Sequence, residues 1–266
     1  MAPVMNDRLM TTNVRAPAPV KPPRPLVSAA GRAVGDFDMI RPGDRVLLGL
    51  SGGKDSLSLL HILLHLRNKA PVRFELSACT VDPCSPDYDP SPLKETMARL
   101  GVPYFYARQD IVGEASKSMR GDSFCAYCSR MRRGVLYRVA REQGCNVLAL
   151  AQHLDDLAET FLMSAFFGGQ LRTMRAHYVI DTGDLRVIRP LVYARERQTR
   201  DFAQRAGLPV IAENCPACFA MPTQRFAMKQ LLAEQEKLHP KLFASLRTAM
   251  RPLMGEAPEM QSPSAP

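Results

Sequence analysis

The hexapeptide Ser51-Gly-Gly-Lys-Asp-Ser56 places two glycines, two hydroxyls, a lysine and a carboxylate side by side. The apolar run Arg45–Leu50 before it predicts a buried strand, and the leucine-rich residues 57–66 after it predict a helix. Backbone N–H groups at the start of a helix attract anions, and glycines let the backbone approach them closely. Because Lys54 adds a compact positive charge, the pattern predicts a phosphate-binding loop.

The spacing of this loop differs from two common nucleotide-binding motifs. It is neither the G-x-x-x-x-G-K-[ST] motif of P-loop nucleotide triphosphatases nor the G-x-G-x-x-G motif of dinucleotide-binding proteins. Asp55 is a candidate for placing Mg²⁺, since carboxylate oxygens are ligands that this ion prefers. The candidate residues for binding a phosphate-containing ligand are Ser51, Gly52, Gly53, Lys54, Asp55, Ser56 and, at the end of the second predicted strand, Asp82.

Two Cys-x-x-Cys pairs are candidates for a metal site. Cys125 and Cys128 lie just before a predicted helix, and Cys215 and Cys218 lie in a proline-broken stretch further along the chain. Four thiolates would suit a structural zinc site, a dithiol pair would suit redox chemistry, and three thiolates would suit an iron–sulfur cluster with one open iron. The spacing does not choose between zinc and iron.

Strand and helix patterns alternate through the central part of the chain. Short apolar strands joined by helices are typical of a parallel, doubly wound α/β sheet. In such sheets ligands bind beyond the carboxyl ends of the strands, so Ser51–Ser56, Asp82 and His153–Asp156 are expected to meet there. The predicted strands are Arg45–Leu50, Phe74–Val81, Tyr104–Ala107 and Val147–Ala151, and the predicted helices are 55–67, Pro92–Leu100, Ser129–Gln143 and one beginning near Asp155.

Composition and charge restrict the partners and the location. Thirty-five Lys and Arg residues against 26 Asp and Glu give a net charge of +9, which suits a polyanionic partner, RNA first. No apolar run is long enough to span a membrane, and no secretory signal follows the N-terminus. We therefore expect a cytoplasmic protein with no membrane partner, in which the seven cysteines are reduced.

The same composition predicts three segments. Residues 1–28 are rich in proline and predict a disordered arm, and residues 251–266 predict a second disordered tail. Between them, residues 29–250 have the length and apolar content of one domain, which includes the predicted phosphate-binding loop and the Cys-x-x-Cys site. No internal repeat divides this domain.

Charged residues on the predicted helices allow two interpretations each. Arg130, Arg133 and Arg141 fall on one helix face, which is either a solvated basic face or a phosphate track for RNA. Asp155 and Asp156 are either first-turn acids favoured by the helix dipole or functional carboxylates, Asp156 being the better candidate for orienting the loop or a metal.

Four stretches in this order resemble one known family. They are Ser51–Ser56, Cys125–Arg138 with its Cys-x-x-Cys-Ser-Arg-Met-Arg-Arg pattern, Gln152-His-Leu-Asp-Asp156 and Val187–Arg195. Together with the late cysteine pair they are similar to the tRNA 2-thiocytidine synthetase (TtcA) family of the PP-loop ATP pyrophosphatases. The resemblance extends over roughly residues 30–250 and implies a PP-loop domain that thiolates cytidine 32 of tRNA at the expense of ATP.

The resemblance also implies cofactors, site residues and partners. A 4Fe-4S cluster would be held by Cys125, Cys128 and Cys215, with Cys218 as the alternative third ligand, and Mg²⁺ would accompany ATP. The implied partners are tRNA, ATP and a sulfur donor such as a cysteine desulfurase, with a possible homodimer. The candidate catalytic residues are Lys54, Asp55, Arg132 and Asp156.

Two other functions remain open from the residues. One is another PP-loop tRNA-modifying ligase, of the 2-thiouridine or lysidine type. The other is a non-catalytic, metal-containing RNA-binding protein. Amine transfer in a lysidine-type enzyme needs no thiolate cluster, so the cysteine pairs argue against it. The intact Ser51–Ser56 loop argues against a non-catalytic protein.

Overall fold

The computed structural model describes residues 19–84, 88–111, 113, 124–211 and 223–255, with the backbone alone for 124–126. Its strands are β1 (Arg45–Gly49), β2 (Glu75–Asp82), β3 (Tyr104–Arg108), β4 (Val147–Ala149), β5 (His177–Val179) and β6 (Arg186–Ile188). Its helices are α1 (Arg24–Asp36), α2 (Lys54–Lys69), α3 (Ser91–Leu100), α4 (Phe124–Glu142), α5 (Leu154–Gly168), α6 (Glu196–Arg205), α7 (Gln224–Leu238) and α8 (Leu242–Met254).

The strands form one sheet in the order β3-β2-β1-β4-β6-β5. β1 pairs in parallel with both β2 and β4, and only β5, at the edge, runs antiparallel to its neighbour β6. The prediction of a doubly wound, mostly parallel α/β sheet is therefore confirmed. The chain builds β2 and β3 on one side of β1 and then crosses to β4 on the other, so the strand order reverses between β1 and β4.

The central strands are buried on both faces, which explains their continuous apolar sequences. Along β1, Val46 and Leu48 belong to one apolar cluster and Leu47 belongs to another. The first cluster contains the buried leucines of α2 together with residues of α1, α5, α6, α7 and α8. The second contains Val135 and Val139 of α4. Helices thus cover both faces and leave the ends of the strands as the place for a site.

The two ends of the domain differ from the expected boundaries. The expected arm 1–28 is wrong at its end, since helix α1 begins at Arg24 and buries Leu26. Pro25 lies in the first turn of α1, where proline is tolerated because that N–H has no helical acceptor. The expected tail 251–266 is wrong at its start, since α8 runs to Met254, which is buried. The rest of both predicted segments, 1–18 and 256–266, lies outside the described residues.

No helix in the described ranges is both long enough and apolar enough to cross a bilayer.

Shortening a buried side chain of α1 tests the corrected boundary. We expect Leu26→Ala to lower the free energy of unfolding by about 2–5 kcal/mol, because it opens a cavity under α1. Arg32→Ala, on the exposed side of the same helix, is the control and is expected to change it little. Urea denaturation measures both, and equal stability of the two variants would contradict a packed α1.

Candidate active site

The glycine loop lies at the reversal point of the sheet, between the end of β1 and the start of α2. The hydroxyl groups of Ser51 and Ser56 form hydrogen bonds with the backbone of this loop. The Gly53 N–H donates to Ser51 Oγ at 3.2 Å, and Ser56 Oγ donates to the Gly53 carbonyl at 3.0 Å. Gly53 precedes α2 without a side-chain cap, so the first N–H groups of this helix have no side-chain acceptor there. Such a helix start is suited to an anion.

Gly52 is the residue of this loop for which the absence of a side chain matters most. It has a φ of +89°, in the left-handed region. A Cβ built on it would lie 3.1 Å from Cδ1 of Ile211, and the Ile211 N–H donates to the Gly52 carbonyl at 3.0 Å. The loop is therefore packed directly against the chain segment that ends at Ile211.

Lys54 is held by two carboxylates. Its Nζ lies 2.9 Å from Asp55 Oδ2 and 3.1 Å from Glu196 Oε1. The second oxygen of Glu196 lies 2.6 Å from Nζ of Lys229 on α7. Burial lowers the pKa of Lys54, but its two acidic neighbours outweigh that effect and raise it. Burial raises the pKa of Glu196, but Lys229 and Lys54 together lower it to about 2. At neutral pH Lys54 and Glu196 are therefore both charged.

Asp55 connects the loop to the start of α5. Besides Lys54, its carboxylate accepts a hydrogen bond from the Thr199 hydroxyl and lies 3.7 Å from Nε2 of His153. The His153 Nδ1 accepts from the backbone N–H of Asp156 at 3.3 Å, which leaves the ring proton of a neutral imidazole on Nε2, facing Asp55. The predicted meeting of the loop with His153 is thus present in the structure.

Asp156 and Asp155 have separate structural partners. The Asp156 carboxylate accepts from the His153 N–H at 2.9 Å and completes a capping box, which agrees with the interpretation as a helix-start acid. Asp155 accepts from Arg195 at 3.1 Å, and Arg195 also donates to both oxygens of Glu236 on α7. A cavity of about 280 Å³ is bordered by Asp155, Glu196 and Lys229. A catalytic role for Asp156 stays a prediction, and the structure shows it orienting His153.

Asp82 lies at the carboxyl end of β2, as expected, and is buried. Its carboxylate accepts hydrogen bonds from the Tyr106 hydroxyl and, at 2.7 Å, from the Cys84 N–H, and it lies 3.5 Å from Nε of Arg108. Burial, and then the bond to Asp82, raises the pKa of the Tyr106 hydroxyl. The ATP-binding role of Asp82 stays a prediction, because its carboxylate already has protein partners.

The candidate metal ligands are only partly described. Cys128 is half-buried on α4, and Cys125 lies three residues earlier on the same helix, a spacing that places both on one face. Cys215 and Cys218 lie outside the described residues. Among the residues that the structure describes, no group of three or more His, Cys, Asp and Glu side chains is arranged to hold a metal ion. The cysteine and Mg²⁺ assignments therefore stay predictions.

The described residues on either side of 212–222 lead to the site. Before it, Ile211 packs on Gly52. After it, Thr223 caps α7, accepting from the Phe226 N–H at 3.2 Å, and α7 carries Lys229 to Glu196. The connections before and after residues 212–222 thus both lead to the glycine loop.

The basic residues of α4 differ in what they contact. Arg141 donates to Asp184 at 2.6 Å and to Thr182 at 2.8 Å, so its guanidinium already has an acidic partner. Arg130 is exposed and Arg133 is half-buried on the same helix. The Arg132 Nε is buried without a hydrogen-bond partner in the described ranges. Of the expected RNA-binding residues, Arg141 fits a phosphate track least well, since Asp184 neutralises it.

Three residues of the site were not predicted from the sequence: Glu196, Thr199 and Lys229. Glu196 follows immediately after the stretch Val187–Arg195 that carried part of the family resemblance, and this adjacency was the available signal. Nothing in the local sequence around Lys229 marks it, because its partner lies on another helix.

Comparisons with known proteins identify the relatives of this arrangement. A family model described as a PP-loop domain matches residues 28–218. The tRNA-cytidine(32) 2-sulfurtransferase of Geobacter sulfurreducens is 43% identical over 228 residues, which are 85% of this chain and 88% of the relative. That of Syntrophotalea carbinolica is 41% identical over 249 residues, 93% of this chain and 91% of the relative.

One solved structure supports the fold. The U34-tRNA thiolase NcsA from Methanococcus maripaludis, solved with its [4Fe-4S] cluster, matches with a TM-score of 0.70. The match covers 88% of this chain and 79% of that chain at 23% sequence identity.

A methyl group at Gly52 tests the close contact with Ile211. We expect Gly52→Ala to lower the thermal midpoint more than Gly43→Ala, because both positions have a positive φ but only Gly52 lies against a neighbouring side chain. The shared backbone strain is about 1–2 kcal/mol, so the difference between the variants measures the packing contact. Calorimetry measures the midpoints, and equal losses would contradict the contact.

Neutralising Glu196 tests the ion network through its pH dependence. The folded pKa of about 2 lies below the ordinary value of 4.5, so the ionised form contributes stability above pH 4.5 that is lost as the pH falls to about 2. We expect Glu196→Gln to be less stable than wild type at pH 7 and to approach it in acid. Glu234→Gln, an exposed acid on α7, is the control. A pH-independent difference measured by urea denaturation would contradict the network.

Proposed function

We propose that this chain, which belongs to the tRNA-cytidine(32) 2-sulfurtransferase family of PP-loop proteins, replaces the 2-oxygen of cytidine 32 in tRNA with sulfur, using ATP. The observation that carries the proposal is the position of Lys54. It stands at the uncapped start of α2, at the reversal point of the sheet, with its charge balanced by Asp55 and Glu196.

The loop Ser51–Ser56 would hold the β- and γ-phosphates of ATP. The first N–H groups of α2 supply donors, and Lys54 supplies a charge that is retained at neutral pH because its pKa is raised. The phosphate oxygens of ATP would compete with Glu196 for the ammonium group of Lys54. When Lys54 binds phosphate instead, Lys229 would still neutralise the Glu196 carboxylate. Asp55 is the carboxylate of the loop itself and would help to place Mg²⁺ with the phosphates.

The chemistry proceeds in two steps. First, the 2-oxygen of the cytosine attacks the α-phosphorus of ATP, a P–O bond to the base forms, and pyrophosphate leaves. Then a sulfur nucleophile attacks C2 of the base and AMP leaves with the original oxygen. Lys54 would stabilise the charge that develops on the departing pyrophosphate, an effect that depends on its fixed position. His153 and Thr199 would keep Asp55, and with it Lys54, in place.

The cysteines fit a cluster in their chemistry. Thiolates are the ligands of iron–sulfur clusters, and Cys125 and Cys128 share one face of α4. A 4Fe-4S cluster on Cys125, Cys128 and Cys215, with Cys218 as the alternative third ligand, would supply an iron site for the incoming sulfur. The attachment of Ile211 to Gly52 supports a location for the third ligand near the loop, because four residues of chain reach at most about 14 Å.

The proposal includes tRNA and ATP as substrates, a sulfur donor such as a cysteine desulfurase, and a cytoplasmic location. Arg130 and Arg133 are the better candidates for RNA phosphates on α4, since Asp184 already neutralises Arg141. The possible homodimer stays a prediction.

Two activities measured on the same variants test this function. With unmodified tRNA, we expect Lys54→Ala to lower the exchange of pyrophosphate into ATP about 100-fold or more, because a preorganised charge is lost. Lys69→Ala, an exposed lysine at the other end of α2, is the control. Cys128→Ser is expected to abolish 2-thiocytidine, detected by nucleoside mass spectrometry, and to retain the tRNA-dependent exchange of pyrophosphate into ATP, because that exchange reports the first step alone.

Full thiolation by Lys54→Ala would remove the loop from the mechanism. Thiolation by Cys128→Ser equal to that of wild type would remove the cluster. The visible spectrum of protein purified without oxygen separates the metals, since an iron–sulfur protein is brown and a zinc protein is colourless.

A further inference from the structure

An exposed aromatic and basic surface follows the end of α5. We call it the α5 strip and define it as Phe166, Phe167, Leu171, Arg172 and Arg175. The three apolar side chains are 59%, 55% and 67% exposed, respectively. Exposed large apolar side chains grouped in this way commonly mark an interaction site.

The charges of the α5 strip are all of one sign. No Asp or Glu occurs between Thr160 and Ile180 in the sequence. Arg172 and Arg175 are exposed, and neither guanidinium has an acidic partner in the part of the chain that the structure describes. This contrasts with Arg141 and Arg195, which are both paired with carboxylates. The α5 strip thus offers two cations without internal neutralisation.

The α5 strip is built as a fixed turn. The Gln170 N–H donates to the Ser164 carbonyl at 3.1 Å, and Ser164 Oγ donates to the Gln170 carbonyl at 2.7 Å. Further along, Thr173 Oγ1 donates to the Leu157 carbonyl at 2.8 Å, so the chain turns back along α5 toward its first turn. These bonds order the α5 strip before any partner binds, which reduces the entropy cost of binding.

The α5 strip leads to the candidate active site. The Arg175 carbonyl accepts a hydrogen bond from buried Arg189, and Arg189 Nε donates to Gln152 Oε1 at 3.0 Å. Gln152 directly precedes His153, whose ring faces Asp55. Since α5 has 15 residues and is about 22 Å long, the α5 strip extends from the site to a point about 20 Å away.

We propose that the α5 strip binds unpaired nucleotides of the substrate RNA, with Phe166 and Phe167 stacking on bases and Arg172 and Arg175 contacting phosphates. This inference rests on the proposed function. A pyrimidine whose C2 is to react must leave its stack, and exposed rings can then stack on neighbouring unstacked bases. Aromatic side chains beside cations are the usual arrangement for single-stranded nucleic acids.

Charge favours RNA over a second copy of the chain as the occupant. The chain has a net charge of +9, and a second copy would bring further positive charge to two arginines that already lack acidic partners. A polyanion neutralises them. Self-association through Phe166 and Phe167 is therefore the competing outcome of the test.

Conservative changes of the two phenylalanines separate stacking from general apolar contact. We expect the double variant Phe166→Leu/Phe167→Leu to bind an unmodified tRNA about 10-fold or more weakly than wild type, because leucine has no ring face and each stacked base contributes about 1–3 kcal/mol. The double variant Phe166→Tyr/Phe167→Tyr keeps both rings and is expected to bind within about twofold of wild type. Fluorescence anisotropy at one fixed salt concentration measures the dissociation constants.

Leu238 on α7 provides the control for loss of exposed apolar surface, since it is 70% exposed. Leu238 is two residues from Glu236, and Glu236 pairs with Arg195. Arg195 in turn pairs with Asp155 in the first turn of α5. Leu238 therefore lies near the start of α5, whereas Phe166 lies near its end. We expect Leu238→Ala to leave tRNA affinity unchanged. Thermal midpoints equal to that of wild type establish that the exposed substitutions leave the fold intact.

The arginines are tested by salt dependence. We expect Arg172→Gln/Arg175→Gln to reduce the slope of log affinity against log salt by about 0.7 for each RNA phosphate that the variant no longer neutralises. Lys237→Gln, an exposed cation on α7, is expected to leave the slope unchanged.

Wild-type affinity and salt slope in the leucine and glutamine variants would overturn the inference. So would a change confined to self-association, measured by sedimentation. These failures differ from failure of the proposed function, in which wild type forms no 2-thiocytidine although the binding differences persist.

Discussion

Glu196 is shared by two lysines that reach it from different parts of the chain. Lys54 comes from the glycine loop and Lys229 from α7, and each lies within 3.1 Å of one of its oxygens. Two ammonium groups this close repel one another unless a carboxylate lies between them, and a partly buried charge left alone is costly. The positions of α2, α6 and α7 are thus tied to one carboxylate. The anion site and the packing of three helices depend on the same charge balance.

The sheet explains why this balance occurs where it does. Strand order reverses between β1 and β4, and the connections leaving these two strands diverge, which opens a crevice at their carboxyl ends. The loop follows β1, and His153 follows β4. Asp55 lies between the two elements and contacts both Lys54 and His153. Lys54 is therefore oriented by residues from both sides of the crevice.

Features that depend on neighbouring residues in the chain, such as glycine turns and apolar strands, were predicted from the sequence. The loop, the strands from β1 to β4 and most of α4 followed from glycine spacing and apolar patterns. The predicted start of α4 was wrong, since this helix begins at Phe124 and contains both Cys125 and Cys128. Glu196 and Lys229 did not follow, because an ion pair between distant residues leaves no periodic signal. The start of α1 was missed for another reason. The prolines of this segment predict disorder, but a first-turn proline such as Pro25 is equally compatible with a helix. Asp184, the partner of Arg141, lies beyond the next three elements of the chain and was likewise not predictable.

The contact between Gly52 and Ile211 has a thermodynamic consequence. Ile211 is the last described residue before the segment that holds Cys215 and Cys218, and its N–H is bonded to the carbonyl of the phosphate loop. If a nucleotide in the loop changes the metal affinity of the cysteines through this bond, then metal on the cysteines must change the nucleotide affinity of the loop by the same factor, since linkage is reciprocal. Nucleotide titrations with and without metal on the cysteines would then yield different affinities, and their ratio would equal the ratio of metal affinities with and without nucleotide.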